Sequence, residues 1–149
     1  MNYISAFFSN SIVSAILISW LAAQLIKVAI VLITSKKLDL SRLYGAGGMP
    51  SSHSSLVSTL VIMALRTEGI GSTAFAIAFA FAIIVMYDAT GVRRQAGEHA
   101  KRINILIEEW MTRNNMKIDN NLKELLGHTP FEVIMGAILG IIIGIIYPI

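Results

Sequence analysis

Two histidines, a run of hydroxyls and a scatter of cations in this chain have the residue types that phosphate chemistry uses. His53 follows Gly47-Gly48-Met49-Pro50-Ser51-Ser52. Adjacent glycines let backbone N–H groups converge in an anion-binding nest, and proline before serines marks a helix start with its own unpaired donors. His128 stands directly before Thr129-Pro130-Phe131-Glu132, a capping-box pattern with proline at the first helical position. Lys27, Arg42, Arg93 and Arg94 are cations able to neutralise phosphate oxygens, arginine in bidentate fashion, and Asp88 is a carboxylate set to pair with Arg93, Arg94 or Lys27. Phosphoryl transfer is mainly positioning and charge neutralisation, and two histidines let one attack phosphorus while the other protonates the leaving alkoxide. Each residue also has a plain structural role to weigh: Glu132 as a cap, His128 as an interfacial histidine, His99 as surface.

The elements that must position these residues are apolar. Of 149 residues, 55% are hydrophobic and 14% charged, and the mean hydropathy is +0.69. Such a composition predicts an all-α integral membrane bundle, a single domain over residues 1–149. Four spans are expected, at about 12–34, 52–65, 72–87 and 130–147. The first apolar run follows an uncharged start and is too long for a cleaved signal. Lys27 lies nine residues before Lys36, roughly 13 Å deeper along a helix, where a cation is costly unless it faces a polar cavity. Residues 95–110 form an amphipathic helix, with Ile103, Leu106, Ile107 and Trp110 at helical spacing. It is expected either to lie along the headgroups or to pack on the protein's own spans. Residues 112–121 read as loop and 122–126 as a short helix. Gly136, Gly140 and Gly144 recur every fourth residue, a face that admits another backbone and allows a homodimer through the last helix.

Four spans put both polar connections, 36–50 and 92–128, on one side with ten lysines and arginines, against Arg66 alone on the other. The positive-inside rule then predicts a cell-membrane protein with cytoplasmic connections and both termini outside. His53, His128, Asp88 and the cations gather at one headgroup layer, which suits a phosphate-bearing lipid and not nucleic acid. Without cysteine there are no disulfides, thiolate metal sites or cysteine nucleophile. No cofactor is expected, although a magnesium ion at Asp88 stays open.

Gly-Gly-Met-Pro-Ser-Ser-His-Ser at 47–54, Tyr-Asp-Ala-Thr-Gly-Val-Arg-Arg at 87–94 and Leu-Lys-Glu-Leu-Leu-Gly-His-Thr-Pro-Phe-Glu-Val at 122–133 resemble the divergent type-2 phosphatidic acid phosphatase family. That family is related to lipid phosphate phosphatases and vanadium haloperoxidases. The resemblance implies a phosphatase acting on a phosphatidate-like lipid or a prenyl phosphate or diphosphate through a phosphohistidine. By it, His128 is the nucleophile, Glu132 its orienting carboxylate and His53 the general acid. Gly48, Ser51 and Ser52 would supply phosphate donors, with Lys27 and Arg42 as cations of the first motif. Where the wider group has a Ser-Arg pair before the nucleophile, Asn121 and Leu122 stand here, so Arg93, Arg94 or Lys123 must take the arginine's place. That departure favours one rival, a lipid-phosphate binder or translocator without turnover; a second rival is a structural membrane subunit that uses the glycine face for assembly.

Overall fold

The computed structural model describes residues 2–38, 47–114, 122 and 127–149. Its described elements are all helices: α1 (Tyr3–Ser9), α2 (Ser11–Ser35), α3 (Ser52–Glu68), α4 (Thr73–Thr90), α5 (Val92–Arg113) and α6 (Pro130–Ile146). The expected spans each have a helix, with ends set by local caps. Asn10 accepts the Ile12 and Val13 N–H groups and so starts α2, leaving the unanticipated α1 as a separate short helix. Ser51 caps α3 and Ser72 caps α4, each through its side-chain oxygen. α5 runs from Val92 to Arg113, longer at both ends than the amphipathic stretch expected. Residues 123–126, read as a short helix, lie outside the described residues, as does Arg42.

Among the described residues two helices, not four, are long and apolar enough to cross a membrane by length and composition: α2, and α4 in its continuation toward α5. α3 and α6 have 17 residues each, roughly 26 Å against a hydrocarbon core of about 30 Å. The physical difference is greatest in α3. It is enclosed by α2, α4 and α6, and buries Ser52, Ser54, Ser55, Ser58 and Thr59. A helix shielded from lipid can carry hydroxyls that a lipid-facing helix could not.

Small and polar residues fill the interior while large apolar ones point outward. Ala15, Ala23, Ala78, Ala82 and Ala89 are buried, whereas Leu17, Leu21, Leu25, Phe79, Ile83, Ile138 and Ile142 are exposed. This inversion of a water-soluble core matches a bundle whose solvent is lipid, where association rests on close packing rather than on apolar burial. The closest packing is between α3 and α6. A Cβ at Gly136 would strike the Ser51 carbonyl, one at Gly140 the Ser55 carbonyl, and one at Gly144 would stand 2.7 Å from Ile62 Cβ. The glycine face expected to admit a second copy is therefore filled by α3 of the same chain. Both helices advance four residues per contact in the same direction, so they run parallel and their N-termini adjoin.

Hydroxyls lock α2 onto this pair. Ser19 Oγ lies 2.7 Å from Ser55 Oγ, and Thr59 Oγ1 lies 2.8 Å from Ser19 Oγ and 2.9 Å from the Gly140 carbonyl. At the far end Arg66 donates to the Gly144 and Tyr147 carbonyls, both at 2.7 Å, satisfying the C-terminus of α6. Gly140→Leu is expected to push α3 from α6 and cost about 3 kcal/mol. Thr59→Val, which keeps the volume and removes the hydroxyl, is expected to cost about 1 kcal/mol. Unfolding in detergent measured for both variants checks this ranking.

Candidate functional site

The parallel α3–α6 pair brings two helix starts to one layer. Gly47 and Gly48 adopt φ of 92° and 82°, so the chain enters α3 through a backbone shape that only glycine takes without strain. Ser51 then does three jobs. Its Oγ accepts the Ser54 N–H at 3.3 Å and the Ser54 hydroxyl at 3.0 Å. Its N–H donates to the Glu132 carbonyl at 3.0 Å, tying the start of α3 to the start of α6.

At the start of α6 the expected capping box is present. Thr129 Oγ1 accepts the Glu132 N–H at 3.3 Å, and Glu132 Oε2 accepts the Thr129 N–H at 3.2 Å. The same Oε2 lies 2.9 Å from His128 Nδ1. One carboxylate oxygen thus serves the helix cap and the histidine together. His128 is only 6% exposed. With Glu132 ionised, the proton sits on Nδ1 and the lone pair is left on Nε2.

Lys27 does not snorkel. It is 3% exposed and donates from Nζ to Ser52 Oγ at 3.1 Å, within electrostatic reach of Glu132 and of His53. Gly48 lies over its stem, a Cβ there standing 4.0 Å from Lys27 Cδ. Opposite, α4 ends one residue before α5 begins, and across that break Arg93 Nε donates to Asp88 Oδ2 at 2.6 Å. Asp88 thus has the arginine partner that its position suggests.

Between these elements lies a cavity of about 420 Å³. His53, His128, Asp88 and Arg93 line it with polar groups; Ile84, Val85, Ala89 and Ala96 form an apolar wall. Both histidines therefore face one space, together with a carboxylate–guanidinium pair. Glu132 stands behind His128, and Lys27 with Ser52 forms a buried cation–hydroxyl pair beside the cavity. Not all expected residues converge: Ser51 is buried as a cap, and Arg94 faces a separate surface depression with Glu98, His99 and Arg102. Among the described residues, no three of His, Asp and Glu gather closely enough to hold a metal ion.

The apolar wall and Gly127 were not picked out from sequence. Gly127 rests on the α5 start: a Cβ there would meet the Arg93 carbonyl carbon at 2.7 Å and Arg94 Cα at 2.8 Å. This contact holds the residue before His128 against the start of α5, and His128 and Arg93 line the same cavity. Farther along α5, Asn104 exchanges two 2.9 Å hydrogen bonds with the Leu122 backbone, fixing that residue against α5. Only the glycine beside a candidate nucleophile signalled this in the sequence.

The family model described as "Divergent PAP2 family" matches residues 8–143. A relative in Bacillus subtilis (strain 168), the uncharacterized membrane protein YuiD, is 44% identical over 134 residues, covering 83% of this chain and 85% of that protein. No solved structure matches.

Substitutions separate the two duties of Glu132. Glu132→Ala removes cap and histidine partner together and is expected to cost about 1–2 kcal/mol. Glu132→Gln keeps an acceptor for the Thr129 N–H and is expected to lose clearly less, as denaturation of both variants would show. Gly127→Ala is expected to displace the connection from α5. NMR of the histidine rings should then show His128 shifted and His99 unmoved.

Proposed function

This chain belongs to the divergent PAP2 family, and from that premise we propose that it is an integral membrane phosphatase acting on a lipid phosphate. The observation that carries the reading is the shared cavity. His128, backed by Glu132 at 2.9 Å, opens on the same space as His53 and Arg93. In this reading α2, α3, α4 and α6 all cross the cell membrane, the two shorter helices being sheltered by their neighbours. Both polar connections face the cytoplasm and the termini lie outside, as the charge bias favours.

His128 Nε2 attacks phosphorus, and the ester P–O bond breaks as His53 protonates the leaving alkoxide. Water then attacks the phosphohistidine, giving its proton to His53 and releasing phosphate. Glu132 holds the His128 tautomer and offsets the positive charge that develops on the ring. Arg93 supplies guanidinium donors to the phosphoryl oxygens, oriented by Asp88. Lys27, acting with Ser52, and the backbone around Gly48 supply further positive potential. The wall of Ile84, Val85, Ala89 and Ala96 accommodates the alkyl part of the substrate, phosphatidate-like or prenyl. No step requires a metal.

A second reading, a lipid-phosphate binder or translocator, is favoured by one observation: Arg93, the substitute for the third-motif arginine that lines the cavity, is already engaged by Asp88. The two readings part in one assay. Purified protein in vesicles with phosphatidate, prenyl phosphate or prenyl diphosphate is expected to release inorganic phosphate. His128→Ala should reduce the rate about 10³-fold or more, His53→Ala roughly 10²- to 10⁴-fold, and Glu132→Gln at least tenfold. Lipid binding with no release above the His53→Ala/His128→Ala background, with or without magnesium, would sink the enzyme reading and favour the second.

A further inference from the structure

α5 leaves the bundle without a linker. α4 ends at Thr90, Gly91 breaks the helix, and α5 begins at Val92. Among the described elements α5 packs against α4 alone. At roughly 100° per residue, Val92, Ala96, Ile103, Ile107 and Trp110 come round to one face, with Leu106 at its margin. That face is uncovered: Val92 is 63% exposed, Leu106 65% and Trp110 58%.

An adjoining face behaves differently. Gly97 and Asn104 are buried, and Asn104 binds the Leu122 backbone in both directions. Leu122 thus pairs with one side of α5, while Val92, Leu106 and Trp110 on the apolar side stay exposed. Charge is arranged around that side as well. Arg93, Arg102 and Arg113 flank it and His99 falls within it; Glu109 lies beside Arg102 and shares a depression with Ile103, Leu106 and Trp110, while Glu98, Glu108, Arg94 and Lys101 lie farther round. The strip is also continuous at both levels of the fold. At its N-terminal end it meets the exposed Ile83, Ile84 and Tyr87 of the apolar helix α4, and its Ala96 lines the cavity.

We propose that α5 is a bilayer-surface helix, its apolar face seated at the boundary of headgroups and acyl chains on the side that holds the cavity. An anionic lipid surface fits both the continuity with α4 and the flanking arginines. A second copy of the chain would fit the apolar face, but an anionic headgroup layer also answers the charge of Arg102 and Arg113. The helix then forms a lintel at the cavity mouth, so that the cavity opens onto the lipid layer and not onto bulk water. Seating of α5 does not depend on turnover at the site.

The chain has no cysteine, so single cysteines can be introduced directly. Spin labels would be placed at Ile103, Leu106 and Trp110 on the apolar face, and at Lys101, Ile105 and Glu108 away from it. Each labelled protein is reconstituted in phosphatidylcholine–phosphatidylglycerol vesicles, and its circular dichroism is matched to the parent. The first three labels are expected to be accessible to oxygen and shielded from a water-soluble nickel chelate; the other three should show the reverse. Neutral vesicles should weaken the contrast at least twofold. Six water-exposed labels would overturn the proposal. Immobile apolar-face labels shielded from both reagents would overturn it too, in favour of a protein partner.

Discussion

The contact of glycine against backbone carbonyl between α3 and α6 is the constraint on which the rest of the structure depends. Because Gly136 and Gly140 have no side chains, the two helices meet at their backbones, in parallel. Parallel helices put both N-termini at the same layer, where their unpaired N–H groups and partial positive charge add. The Ser51 N–H to Glu132 carbonyl bond closes that end, and Arg66 on the last α6 carbonyls closes the other. His53 and His128, 75 residues apart in sequence, become neighbours as a consequence of this packing.

A bundle in lipid gains little by burying apolar groups, since the tails outside are as apolar as leucine. It gains by letting backbones approach and by giving hydroxyls partners. The Ser19–Ser55–Thr59 cluster meets both needs, and it accounts for a serine-rich helix placed at the centre and not at the lipid surface. Lys27 follows the same logic. Its depth would be costly on an exposed helix, but here its ammonium has Ser52 for a partner and Glu132 within electrostatic reach. The polar groups that make α3 a poor lone span are those that join it to its neighbours and to the site.

Glu132 shows how a helix cap and a histidine contact can share one atom. Its Oε2 finishes the α6 cap and holds His128, so a histidine next to a helix start is fixed by the same oxygen that caps the helix. Arg93 shows the opposite economy: Asp88 orients it and also competes for it. The balance of those two effects is where the proposed phosphatase and the lipid-phosphate binder diverge.

Much was legible in the sequence because it is local. Helix starts at Ser51, Ser72 and Thr129, the positive φ of Gly47 and Gly48, the capping box and the amphipathic pattern of α5 all follow from neighbouring residues and helical period. The three motifs also carried the family, which the comparison over residues 8–143 bears out. Other features are relations between distant segments, on which no single stretch reports. The every-fourth-glycine face is equally suited to a second copy or to a helix of the same chain, and only the tertiary packing assigned it to α3. Arg93, not Arg94, reaches the cavity because Gly91 rotates the start of α5, and the wall of Ala89 and Ala96 exists only once α4 and α5 are set at their break. Residue types and spacing determined which groups are capable of phosphate chemistry; the approach of two parallel helix starts decided which of them share a space.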